Sequence, residues 1–111
     1  MPILHIEHEI SDLTTWLETF KRFAPAREQA GVQQAEVFQP SDDPHYIVVN
    51  LRFETADAAS NFRKFLTEVV WSSPENSPAL AGAPTARVLT EVSVRSRIRV
   101  RGYGFARFDG F

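Results

Sequence analysis

His5 and Glu7 stand two residues apart in Ile3 to Ile10, a stretch in which residue character alternates. On a strand that spacing puts both side chains on one face. An imidazole and a carboxylate so placed can act as an acid/base pair, or close a subunit interface as a polar pair. His8, three residues from His5, points to the opposite face, so the two cannot chelate one ion. With His45 in a turn, no three-histidine metal site is expected. Asn50 and Arg52 repeat the two-residue spacing in a second alternating run, with Tyr46 in the same phase. Arg87 and Glu91 share a face in the last run. Arg52 and Arg87 with Glu7 and Glu91 would hold an anionic or enolate-like ligand, or neutralise one another as an internal ion-pair network. Trp71 is a candidate pocket wall, or part of the core. The candidate catalytic residues are therefore His5, Asn50 and Arg52. The candidate ligand-binding residues are Glu7, Tyr46, Trp71, Arg87 and Glu91, with no metal ligands. No glycine-rich phosphate loop, His-Glu-x-x-His or Gly-x-Ser-x-Gly is present, and no cofactor (heme, flavin or transition metal) is expected.

The elements that must position these groups follow from periodicity. In the first strand Leu4, Ile6, His8 and Ile10 oppose Ile3, His5, Glu7 and Glu9. Ser11 and Asp12 offer an N-cap to a helix whose stripe is Leu13, Trp16, Leu17, Phe20 and Ala24. Pro25 should end or kink it, and a further turn should run to Gly31. Val32–Gln39 reads as a second strand and His45–Phe53 as a third, joined by the turn Ser41–Pro44. Thr55 caps a second long helix, with Ala58, Ala59, Phe62, Phe65, Leu66, Val69 and Val70 on its buried stripe. Ser73-Pro74 should start a short helix ending near Gly82, and Thr85–Val92 should be the last strand. The order β-α-β-β-α-β predicts an α+β, ferredoxin-like domain over residues 1–92. Its sheet has four antiparallel strands with both helices on one face.

The other face must be polar or covered by something else. It would carry His5, Glu7, Tyr46, Val48, Asn50, Arg52, Arg87, Leu89 and Glu91, with either Gln34, Glu36 and Phe38 or Gln33, Ala35 and Val37 from the second strand. Such a mixture of aromatic, aliphatic and charged groups suits a homodimer that stacks two faces around a cavity.

The 111 residues suffice for one domain with its own core, and the absence of cysteine excludes disulfides and thiolate sites. No signal peptide and no apolar run of membrane-spanning length is read, so a cytoplasmic protein is expected. Residues 1–92 carry seven Lys/Arg and thirteen Asp/Glu, whereas 93–111 carry five Arg and one Asp. An acidic body with a basic, aromatic tail results. The tail alternates Arg95, Arg97, Arg99 and Arg101 with Val94, Ser96, Ile98 and Val100. It is expected to dock as a fifth strand or an arm, on its own body or the partner's.

The element order, the half-polar sheet face and the run Val70-Trp71-Ser72-Ser73-Pro74-Glu75-Asn76-Ser77-Pro78-Ala79-Leu80 resemble the dimeric α/β-barrel superfamily, antibiotic-biosynthesis-monooxygenase-like. The resemblance covers about residues 1–92. It implies two sheets packed face to face, with a cavity between sheet and helices or near the sheet face. Cofactor-independent monooxygenases of this kind use an Asn, a Trp and an Arg around an aromatic substrate; Asn50, Asn61, Trp71, Arg52 and Arg87 are the residues of those types here. The heme-degrading members bind iron through a His, and none of the histidines here stands in a context that matches that ligand. The expectation is a homodimeric small-molecule-binding protein. As an enzyme it would be a cofactor-independent monooxygenase, or an isomerase or cyclase, for an aromatic or polyketide-like compound. The alternative is a non-catalytic assembly module, or a nucleic-acid binder through the Arg-rich tail.

Overall fold

The computed structural model describes residues 1–92. The expectations for the tail, residues 93–111, lie outside the described residues. Strand β1 is Ile3–Ile10, followed by helices α1 (Leu13–Arg22) and α2 (Ala24–Ala30), the hairpin β2 (Gln34–Phe38) and β3 (Tyr46–Arg52), α3 (Ala56–Phe65), and β4 (Leu80–Leu89). The sheet is antiparallel with order β2-β3-β1-β4, the ferredoxin-like arrangement.

Local chemistry sets the boundaries. Asp12 caps α1 by accepting from Thr15 N, and Thr55 caps α3 by accepting from Ala58 N. Pro25 falls in the first turn of α2, where its missing N–H costs no hydrogen bond. Gly31 ends α2 at φ 90°, a conformation suited to glycine.

The apolar phases of the strands face the helices. Leu4, Ile6 and Ile10 of β1 and Ile47, Val49 and Leu51 of β3 form the core with Phe53, Ala59 and Phe62. Val37, Ala86 and Val88 extend it from the edge strands. The ambiguity in the second strand resolves accordingly. Glu36 pairs with Asn50, so Gln34, Glu36 and Phe38 lie on the open face while Val37 packs inward.

Val69, expected on a buried helix stripe, is 45% exposed, and two larger features differ from the sequence reading. Residues 71–79 form turns rather than a short helix: Asn76 N and Ser77 N both donate to Ser73 O, and the turn goes no further. Pro78 stops it, having no N–H and holding the preceding residue out of the helical region. Strand β4 then begins at Leu80, not Thr85, and runs through Gly82 and Pro84. Pro84 is tolerated because β4 is an edge strand. The register slips here, Glu7 pairing with Thr85 but Glu9 with Ala81, which defines a bulge. Gly82 sits in it at φ 75°, where a Cβ would lie 2.8 Å from Glu9 Oε1.

Candidate functional site

Chemically capable groups gather at two places, one on each side of the sheet.

On the open face, β1 and β3 bring His5 directly opposite Asn50, and β4 brings Arg87 opposite His5. His5 Nε2 lies 2.8 Å from Glu7 Oε2, and Nδ1 lies 2.6 Å from the Asn50 amide oxygen. The carboxylate only accepts, so the proton between them rides on Nε2. Rotation of the Asn50 amide lets the second contact serve either a neutral or a doubly protonated ring. Tyr46 donates its hydroxyl to Glu7 Oε1 at 2.8 Å. These two hydrogen bonds, that from His5 first, hold the Glu7 carboxyl below its usual range, and the Tyr46–Glu7 bond raises the Tyr46 phenol. Arg52 lies 3.8 Å from Glu36. Five of the sequence candidates, His5, Glu7, Tyr46, Asn50 and Arg87, thus form one patch, with Arg52 beside it on the Glu36 side. All are accessible to some degree, and the patch has no walls of its own.

Glu91 does not join this patch. It lies beyond the end of β4, exposed, 3.5 Å from the N-terminal amine. Trp71 does not join it either: it lies on the helix side, edge-on to His8 with ring centroids 6.2 Å apart. Asn61 is exposed and lines a shallow groove between α2 and α3.

On the helix side, between sheet and helices, there is a cavity of about 80 Å³, several times what one ordered water occupies. Six aromatic rings contribute to its wall: Trp16, Phe20, Phe23, Phe62, Phe65 and Trp71. Trp16 stacks on Phe20 at 4.9 Å, and the Arg27 guanidinium sits 3.6 Å from the Phe20 ring centroid. Arg27 Nη1 also donates to Phe20 O at 2.6 Å.

Two backbone irregularities border this cavity. Helix α3 continues as a π-helical turn, Leu66–Val70, closed by Trp71 N donating to Leu66 O at 2.7 Å. Leu66, Val70 and Trp71 all line the cavity, and such turns often shape functional sites. The second irregularity is the β1–β4 bulge, which brackets His8.

His8 is 5% exposed and lines the cavity. Its Nδ1 lies 2.8 Å from the Glu9 carbonyl oxygen. A carbonyl only accepts, so the ring proton is on Nδ1 and Nε2, at the tip, keeps its lone pair. Burial lowers the proton affinity of His8, which favours this neutral form. The sequence reading placed His8 in the apolar phase of the first strand but drew from it only that it cannot chelate with His5. The overlooked signal was a histidine in the apolar phase of β1, between Ile6 and Ile10, where a polar group needs a reason to be buried.

No known protein family matches the sequence, and no curated protein does. Solved structures match by shape. An antibiotic biosynthesis monooxygenase superimposes with a TM-score of 0.60 at 15% identity, over 84% of this chain and 100% of its own. A monooxygenase from Streptomyces coelicolor, in complex with nanaomycin D, gives 0.57 at 15%, over 86% and 91%. A dimeric ferredoxin-like protein from an uncultured marine organism gives 0.56 at 8%, over 86% and 92%. At these identities the likeness speaks for architecture: the chain has the ferredoxin-like fold shared by antibiotic-biosynthesis-monooxygenase-like structures.

Proposed function

We propose that the protein is a homodimeric small-molecule-binding protein that takes an aromatic compound into the cavity between sheet and helices. The observation that carries this reading is the lining: six aromatic rings, with one buried imidazole among them. An aromatic wall with few, fixed polar groups is the usual make-up of a site that sorts ligands by shape and orients them by one or two hydrogen bonds. The Streptomyces coelicolor neighbour, solved with nanaomycin D, supports a ligand-binding use of the fold. If the bound compound is transformed, a cofactor-independent oxygenation or an isomerisation fits best. A neutral imidazole could take the proton either reaction must remove.

A second reading keeps the site on the open face, with His5, Asn50 and Arg52 as catalytic groups and Glu7, Tyr46 and Arg87 as ligand contacts. The His5–Glu7–Tyr46 chain favours it, because it orients a histidine as general acids and bases are oriented. Glu91 and Trp71 would then act elsewhere.

Thermal-shift screening against small aromatic compounds tests both, since a ligand that binds only the folded state raises the unfolding temperature. Leu66→Trp, which fills the cavity, should abolish the shift, and Asn50→Ala and Arg52→Ala should leave it. The reverse pattern would move the site to the open face.

A further inference from the structure

We infer that His8 is the polar anchor of the cavity, and that it selects aromatic ligands bearing a neutral hydroxyl that donates to its Nε2. This rests on the cavity being the ligand site. It adds the chemical class of the ligand and the residue that reads it.

The hydroxyls, the guanidinium and the imidazole on the wall each have an assignable state. The Thr19 hydroxyl donates to Thr15 O at 3.1 Å and the Ser77 hydroxyl to Val70 O at 2.8 Å, so both protons are committed to the backbone. Arg27 offers only N–H donors. His8 commits its one proton to Glu9 O. Nε2 is thus a buried acceptor with no hydrogen-bond partner among the described residues, on a side chain 95% removed from solvent. An acceptor left bare in an apolar wall is costly, and a ligand that donates to it recovers that cost.

The choice of donor follows from charge. A carboxylate has no proton to give. An ammonium could donate, but Arg27 lines the same cavity and opposes a second cation. An ether or a plain hydrocarbon leaves Nε2 bare. A neutral aromatic hydroxyl meets all three conditions, and its ring matches the aromatic wall. The edge-on contact with Trp71 and the bond to Glu9 O hold the imidazole in place, so little side-chain order is lost on binding.

The test compares three probes of nearly one shape on the full-length chain: p-cresol, p-methylanisole and toluene. Binding is followed by the indole N–H resonances of Trp16 and Trp71, the only two tryptophans, both on the cavity wall. The expected result is p-cresol binding about tenfold tighter than toluene, the factor one buried hydrogen bond supplies, with p-methylanisole no better than toluene. In His8→Phe, which keeps a ring in the wall, p-cresol and toluene should bind equally. Equal binding of all three to the unaltered chain, or a cresol preference that survives in His8→Phe, overturns the role of His8 while leaving the cavity as a site. Binding of none of them overturns the cavity reading, and this inference with it. Should His8→Phe not fold, the three-probe comparison on the unaltered chain decides alone.

Discussion

Glu7 and His8 are neighbours in sequence and lie on opposite sides of the sheet, and each ties stability to pH in its own window. His8 binds a proton less readily folded than unfolded, because burial disfavours the charged ring. Its contribution is present above the ordinary value of 6.5 and is lost as pH falls from there through the lowered folded value. Glu7 has a depressed carboxyl pKa, so its contribution is present above the ordinary 4.5 and is lost only in more acid solution. Unfolding temperature should therefore fall in two stages on acidification. His8→Phe should flatten the first stage and Glu7→Gln the second, as read by circular dichroism melts across a pH series. The Glu7 part was legible, since spacing alone aligns it with His5. The His8 part was not, because its state depends on the Glu9 carbonyl and on a cavity built from elements far apart in sequence.

At the scale of elements, the distortions near the cavity have identifiable causes. Gly82 permits the bulge because it accepts φ 75°, and Glu9 fills the space its side chain would need. Gly82→Ala should cost roughly 1–2 kcal/mol from the backbone conformation alone, since Glu9 can swing aside. Chemical denaturation would measure it, and an unchanged midpoint would mean β4 takes another register without loss. Leu51→Ala should cost more, roughly 2–5 kcal/mol, because Leu51 is 2% exposed and packs in the core. The strand phases and the capping residues were readable because each depends on near neighbours. The start of β4 was not. Gly82 and Pro84 read as breakers in sequence, whereas an edge strand tolerates a proline and a bulge uses a glycine. The π-helical turn after α3 has no local signature in Leu66–Val70 either, yet it sets Leu66, Val70 and Trp71 on the cavity wall.

At the scale of the whole molecule, the open sheet face asks for a partner. Phe38 is 50% and Leu89 43% exposed, at its two opposite edges, with Val48 half-buried on the central strand β3. Between them run the hydrogen-bonded His5, Glu7, Tyr46 and Asn50. That face combines exposed apolar residues at its edges with a hydrogen-bonded polar centre, a mixture that a covering subunit would take out of water. Light scattering at micromolar concentration should give about twice 12.6 kDa. Val48→Asp places a carboxylate across from Glu7, its partner on β1, and within the face that would be covered. Burying that charge beside a second carboxylate should weaken association at least about thirtyfold. The fold of each subunit should survive, because the core lies on the other side of the sheet. A variant that stays dimeric would mean association uses another surface, and the polar chain from Asn50 to Tyr46 would then face solvent, where the second reading of the site could use it.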